Sequence, residues 1–559
     1  MRRLPRSFTA RAVRIATCAA TTLCIAGCPT GVYVPPPAAP SASALPPVNA
    51  AAMDAHLKFL ADDLLEGRAP ATRGGELAAR YIAAAFQAAG LVPAGADGSY
   101  YQPVTLVGLA PRPTFVWGSR AGSNTLRYLD DFVAWAQRPD PNVVADGDVV
   151  FVGYGVSAPE WHWDDYKGID VQGKVLLMLV NDPGLQDSTV FNGRALTYYG
   201  RWTYKLEEAT RRGALGVVLI HTLASATYPW DVVRSSWSVE QFMLEATPSG
   251  QLAFGAWVTT DAARRALRGA GWNLDSLTAA AARRDFTPVE TGVHAAVTVV
   301  SAMRRVRSAN VVAKLAGSDS TLSGEAVILT AHYDHKGIGP PVAGDSIYNG
   351  AEDNASGVAA LLGAADALAR LTARPKRTLL FIATTAEESG LLGSQAYVAA
   401  PLVPLDRTAA ALNIDVANVR GATRDIAALG ADRSSLGEVF RAAARAESLT
   451  ATGDPDPTRG SFFRSDHFPF ARAGVPSLSI ETGVDFVGRP PSWGKEQADL
   501  YNEQRYHEPS DEYRSTFTYA GMVQQVRVMM RAAIDVANGA TLPQWLPTAE
   551  FQRPTKPGP

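Results

Sequence analysis

Five side chains able to ligate a metal ion follow one another through the last half of the chain. They are His332 in AVILTAHYDH, Asp353 in NGAEDNASG, Glu388 in LLFIATTAEESG, Asp415 in AALNIDVAN and His507 in NEQRYHEPSDE. Two imidazoles and three carboxylates exceed what one tetrahedral zinc with an open position requires. They suffice for two zinc ions that share one carboxylate. A pair of divalent ions about 3.5–4 Å apart lowers the pKa of water toward neutrality and polarises a carbonyl, so the chemistry implied is metal-assisted hydrolysis. Glu387 stands beside a ligand and is the candidate general base. Neighbouring side chains on an extended stretch point in opposite directions, so Glu387 and Glu388 need not both reach metal. An isolated EE pair reads as the solvated start of a helix; directly after LLFIA, between two other ligand motifs, it reads as chemistry.

The elements that must hold these groups follow an α/β pattern from Ser308 onward. Strands are predicted at NVVAKLAG, EAVILTA, RTLLFIATT, AAALNIDVA, DIAALG and PSLSIET, apolar runs of the kind found where both faces of a sheet are covered. Helices are predicted at SGVAALLGAADALARL, SSLGEVFRAAARAES and YAGMVQQVRVMMRAAIDVANG. The fold class expected is α/β, a mixed, mostly parallel sheet flanked by helices. His332, Glu387 and Asp415 fall at or just past the C-terminal ends of predicted strands, where open α/β sheets place their ligand sites. Upstream, HLKFLADDLLEG and GGELAARYIAAAFQAAG have helical spacing. Between residues 108 and 300 the texture changes to short apolar runs (DVVFVGYGV, KVLLMLVND, LGVVLIHT) around the helical RWTYKLEEATRRGA, and AARRALRGAGWNLDSLTAAAARRD near its end also reads as helical.

HYDHKG, EDNASGVAALL, TTAEESGLLGSQAYV, LNIDVAN, SDHFPFARAGVPSLSIETG and RYHEPSDEY together resemble the M28 family of zinc aminopeptidases, over roughly residues 50–540. Singly these motifs are weak; in combination they are specific. The resemblance implies a zinc-peptidase/phosphorylase-like fold and two zinc ions per chain. One would be held by His332, Asp353 and Asp415 and the other by Asp353, Glu388 and His507, with Asp353 bridging. It implies that Glu387 takes a proton from the attacking water and delivers it to the leaving amine. Asp334 would accept the second N–H of His332 and fix its tautomer, and Tyr506 would donate to the developing oxyanion. Asp466 and His467 would line the pocket without ligating. DLLEGRAPATRGG matches a recurrent segment of the family, and GYGV, DVQGKVLL and GALGVVLIH resemble the β-rich protease-associated (PA) domain often inserted in it. A lid or substrate-gating role is the expectation for that insertion. Of the eight histidines, His335 reads as a loop residue, and His56, His162, His221 and His294 as surface or satisfied core residues.

Hydrophobic content of 47% with 19% charged residues suits a soluble globular protein, and a net charge of −2 offers no electrostatic case for nucleic acid or anionic membrane. Residues 1–27 hold Arg2, Arg3, Arg6, Arg11 and Arg14, no acid, and the apolar stretch IATCAATTLCIAG, a secretory signal too short to span a bilayer stably. Removing five positive charges takes the mature chain from −2 to −7. Ile25-Ala26-Gly27-Cys28 matches the bacterial lipobox, so the chain is expected to be exported and lipid-anchored at Cys28; Pro29 favours the outer membrane. Cys18, Cys24 and Cys28 are all the cysteines, which leaves no disulfide for the mature chain. The expected layout is a signal (1–27), a Pro/Ala-rich tether (28–49), an N-terminal helical part of the peptidase (50–107), the inserted domain (108–300), the catalytic domain (301–540) and a C-terminal tail (541–559).

The leading expectation is a two-zinc exopeptidase acting on the N-termini of peptides, with Glu387 and Asp415 available to hold a free α-amine. A carboxypeptidase on the same scaffold would need cationic groups, for which Arg464 and Arg505 are candidates. A glutaminyl cyclase would use one zinc, and a non-enzymatic binding protein would be expected to have lost ligands.

Overall fold

The computed structural model describes residues 45–246 and 252–554. The predicted signal segment, Cys28 and most of the tether lie outside the described residues. Two long strands, Tyr101–Ser119 and Val289–Leu315, organise the rest by pairing antiparallel from Tyr101 opposite Val311 to Gly118 opposite His294. At its C-terminal end Val289–Leu315 pairs with Thr378–Thr384, followed outward by Ala326–His332, Thr408–Asn413, Ser477–Thr482, Asp425–Leu429 and Thr450–Thr452. Ala326–His332 is parallel to both neighbours, while the pairings of Val289–Leu315 with Thr378–Thr384 and of Ser477–Thr482 with Asp425–Leu429 are antiparallel. The result is the mixed, mostly parallel α/β sheet expected.

Every residue of Ala326–His332 and of Thr378–Thr384 is buried, because helices cover both faces. The period of two sorts the side chains. Val327, Leu329 and Ala331 join a core with helices Ala50–Leu60, Arg73–Ala88, Gly357–Ala369, Leu436–Ala446 and Ala520–Asn538. Ala326 and Ile328 turn to the other face, toward Tyr397 and Phe470. The N-terminal helices therefore pack on the sheet that carries the predicted ligands.

The other end of Val289–Leu315 carries Asn142–Phe151, then Val175–Leu179, Gly216–His221, Phe254–Thr259 and Phe132–Ala136, so among the described residues one sheet of 16 strands joins the two parts. The boundaries expected at residues 108 and 300 fall inside the two long strands, and the insertion is continuous with the sheet that carries the predicted ligands. It has an apolar core on each face. Its C-terminal helical stretch is two helices, Thr260–Gly269 and Leu274–Ala281, broken where Gly271 takes a φ of +89°.

The insertion also docks on the segment 457–472. Leu196 N–H donates to Pro457 O (3.0 Å), Glu207 pairs with Arg472 (2.5 Å), and Tyr198 packs among Phe463, Phe468 and Phe551. Phe551 comes from the C-terminal tail, whose Trp545 donates to the Gly474 carbonyl (2.8 Å). Among the described residues no helix is long and apolar enough to cross a membrane.

Candidate metal centre

The five predicted ligands converge on one cluster. His332 closes its strand, and its Nε2 lies 3.2 Å from both Asp353 Oδ1 and Asp415 Oδ1. His507 Nε2 lies 3.1 Å from Glu388 Oε2 and 3.4 Å from Asp353 Oδ2. Asp353 thus faces both imidazoles, one through each carboxylate oxygen. Glu387 Oε2 stands 3.9 Å from His332 Nε2. The peptide bond between Asp353 and Asn354 is cis.

Donor chemistry identifies this cluster as a fit for divalent cations. The Nδ1 of His332 lies 3.2 Å from the Asp334 carbonyl, which turns Nε2 toward two carboxylates. Two groups bring three ligand atoms within 4.8 Å of one another: His332, Asp353 and Asp415, and His335, Asp353 and Glu388. Asp353 is common to both. Without cations the cluster must share protons instead. Burial, reinforced by the charges of Glu388, Asp415 and Asp466 and opposed by His332, pushes Glu387 well above the ordinary glutamate range. Burial works against a charged His332, yet Glu387, Asp415 and Asp353 raise it well above its usual value. Burial likewise opposes ionisation of Glu388, and His507, Lys336 and His335 nevertheless hold it well below the usual range. Divalent ions would displace those protons and balance the same carboxylates.

Three local features differ from the sequence-based expectation. The Asp334 carboxylate is not the closest partner of His332: its Oδ1 is 3.8 Å from Nδ1, while it accepts the backbone N–H of Glu387 (3.0 Å) and of Glu388 (3.4 Å). Asp334 therefore fixes the turn that carries both glutamates as well as the His332 ring. Glu387 and Glu388 are not on an extended stretch. The strand stops at Thr384, Ala386 takes a φ of +54°, and the following turn aims both side chains into the cluster. His335 is a loop residue, but a buried one, whose Nδ1 lies 2.7 Å from Glu388 Oε1 and whose Nε2 has no partner. It stands edge-on to His507, so two imidazoles flank Glu388, and Lys336 Nζ adds a third contact at 2.9 Å.

Supporting residues come from distant segments. Asp511, in the turn after His507, accepts the N–H groups of Glu352 and Asp353 (both 3.0 Å) and orients the shared carboxylate; burial, with Glu352 nearby, raises it to about 7. Arg68 is buried and donates to the carbonyls of Tyr333, Asn349, Gly350 and Leu60, joining the His332 and Asp353 loops. Gly67 makes this possible, because a Cβ there would meet Tyr348 O at 2.4 Å. Neither residue had a role assigned from sequence, although both lie in segments, EGRAP and EPSDEY, on which the family resemblance rests.

Tyr506 stacks on His507 with ring centroids 3.8 Å apart, and its hydroxyl accepts from Arg464 (3.4 Å). Arg505 is paired with Glu352 (3.1 Å), which removes it from the cationic groups a carboxypeptidase would need. Asp466 is buried beside the site and accepts from the Thr384 hydroxyl. His467 turns away from it into an aromatic cluster, edge-on to Phe462, and burial lowers it to about 3. His56 bonds Tyr81, His221 bonds the Tyr228 carbonyl, and His294 sits between Asp146 and Asp148, all away from the cluster.

Residues 310–532 match the model of peptidase family M28, and that span holds all five ligand candidates and Glu387. Over 175 residues the chain is 30% identical to leupeptin-inactivating enzyme 1 of Streptomyces exfoliatus, covering 30% of this chain and 38% of that protein. A stretch of 94 residues is 38% identical to a vacuolar membrane protease of Clavispora lusitaniae, covering 17% of this chain and 8% of that protein. The matched part is thus less than half the length of either curated relative. Among solved structures, the aminopeptidase from Aneurinibacillus sp. strain AM-1 superposes with a TM-score of 0.48 at 20% identity, covering 91% of this chain and 98% of that one. Residues 310–532, which carry the five ligand candidates and Glu387, are thus similar to peptidase family M28.

Proposed function

We propose that this chain is a zinc-dependent exopeptidase, an aminopeptidase that releases N-terminal residues from peptides with two zinc ions and Glu387 as general base. The observation that carries the reading is Asp353, shared by two three-ligand groups with Glu387 beside them in an M28 segment. His332, Asp353 and Asp415 would hold one ion; Asp353 and Glu388 with His507 would hold the other, with His335 against the same glutamate. Ions bound there would polarise the scissile carbonyl and activate the attacking water.

The remaining work falls to the protein's own groups. Glu387 is buried at the edge of the cluster, 3.9 Å from His332 Nε2, where its carboxylate would take a proton from water and return it to the leaving amine. The Asp334 bonds to the Glu387 and Glu388 backbone keep that carboxylate pointed at the cluster. Tyr506, held by its stack on His507 and its bond to Arg464, would donate to the oxyanion. Asp415 and Glu387 offer negative charge to a free α-amine.

Metal analysis of purified protein is expected to return close to two zinc ions per chain, and a reproducible value near one would favour a single-zinc cyclase. Paired peptides with free and N-acetylated termini test the specificity. Cleavage that needs the free amine and stops with chelator is expected; equal cleavage of the acetylated peptides would overturn the aminopeptidase assignment. The chain is also read as an exported lipoprotein. Cys28→Ala is expected to move it from the membrane to the soluble fraction, and unchanged membrane partitioning would exclude an anchor at that residue.

A further inference from the structure

The strand Val289–Leu315 has one edge that changes partners along its length. Around the middle of the strand, even-numbered residues turn their backbone groups toward the side of Tyr101–Ser119: Val312 N–H donates to the Tyr100 carbonyl (2.7 Å), and its carbonyl accepts from Ala94 N–H (3.3 Å). Odd-numbered residues face the other way, as strand geometry requires. Ser301 N–H donates to the Pro141 carbonyl (2.8 Å), and the Ala309 carbonyl accepts from the Tyr333 hydroxyl (2.9 Å). On this second edge Asn142–Phe151 covers residues 289–300, and Thr378–Thr384 covers residues 311–315. Between those two stretches no strand pairs with it among the described residues. The backbone N–H and C=O groups of Met303, Arg305 and Arg307 therefore have no partner there, and all three residues are exposed.

The gap lies beside the metal centre. Val311 stands opposite Ala383, and Thr384 stands opposite His332, so the strand runs on past the level of the donor cluster as its numbering falls. Its free edge faces the lane that Thr378–Thr384 leaves empty when the chain turns at Ala386 to aim Glu387 and Glu388 at the cluster. The near end of the gap is tied to the same place. Ser308 Oγ is 2.7 Å from Thr385 Oγ1, and Tyr333, next to His332, reaches both Ser308 and Ala309. From Ala309 to Met303 the edge extends about 20 Å. Unpaired edges take up extended peptides through the main chain, whatever the side chains. We propose that the edge from Met303 to Arg307 binds the part of a substrate C-terminal to the cut bond as an added β-strand. The inference rests on the exopeptidase reading above and names its substrate class: extended peptides several residues long and of varied sequence, in preference to dipeptides.

The test compares Leu-Ala with a hexapeptide that begins Leu-Ala, on the zinc-loaded full chain. The hexapeptide is expected to exceed the dipeptide by on the order of ten-fold in kcat/KM, expressed in KM. An added strand presents alternate N–H groups to the edge. Of two hexapeptides N-methylated at residues three and five or at residues four and six, one should fall to the dipeptide level and the other keep the advantage. Arg305→Pro removes an N–H from the free edge, where proline is tolerated, and should bring the hexapeptide-to-dipeptide ratio close to one. Arg305→Ala keeps the N–H and should keep the ratio, although both variants lose the bond to Glu245. A wild-type ratio near one, or two methylated isomers that behave alike, would overturn the proposal. So would a dimer in sedimentation that Arg305→Pro dissociates, since a second copy would then hold the edge. If Arg305→Pro does not fold, the isomers decide alone. If no peptide is cleaved, the exopeptidase reading fails, and calorimetric binding to Glu387→Gln protein decides the edge separately. Tighter binding of the hexapeptide, lost in one isomer only, supports it; equal binding of all peptides, or none, excludes it.

Discussion

Glu387→Gln is expected to lower kcat by about 10²–10⁴-fold while leaving zinc content unchanged, since positioned proton transfer contributes about that much. The substitution keeps the shape of the side chain and removes only its ability to take up a proton. The atoms that would ligate belong to His332, Asp353, Glu388, Asp415 and the imidazoles of His335 and His507, so the binding set should survive. The turn survives as well, because Asp334 grips it through the backbone N–H groups at 387 and 388 and not through the glutamate side chain. Single-turnover kinetics together with metal analysis make the check. Loss of activity accompanied by loss of zinc would reassign Glu387 as a ligand, and retained activity would remove it as the base.

Arg68→Met is expected to cost about 3–5 kcal/mol of stability, the range for breaking a buried, hydrogen-bonded charged group. Burial lowers the Arg68 guanidinium to about 10, so it remains charged at neutral pH, helped by Asp334 and Asp511. Its donors satisfy four carbonyls, of Leu60, Tyr333, Asn349 and Gly350, drawn from three separate segments. Methionine fills the space and leaves those carbonyls without a donor. Tyr333 follows His332 directly, and Gly350 precedes Asp353 by three positions, so zinc affinity should fall together with the chemical-denaturation midpoint. An unchanged midpoint would mean that water replaces the guanidinium at no cost, and the bridging role would be lost.

Much of this architecture was legible beforehand. Strands such as AVILTAH and TLLFIAT are continuous apolar runs, and a sheet covered on both faces imposes that pattern on any sequence that forms it. Helices Gly357–Ala369 and Ala520–Asn538 likewise follow the predicted segments. The long strand Val289–Leu315 was legible only from residue 310 onward. Its first part alternates buried and exposed residues against the insertion, and the switch from one pattern to the other looked like a domain boundary.

Sequence by itself determined which donor side chains are present and their order, and with them the chemistry expected, because metal chemistry depends on which donor atoms are available. It also determined the sheet that carries them, because burial on two faces dictates composition. Tertiary structure decided what holds and surrounds the donors. The turn at Glu387 and Glu388 depends on a carboxylate more than 50 residues earlier, and the Asp353 loop on Asp511 and Arg68. Such contacts join side chains to backbone groups of irregular segments, which have no periodicity to reveal their partners.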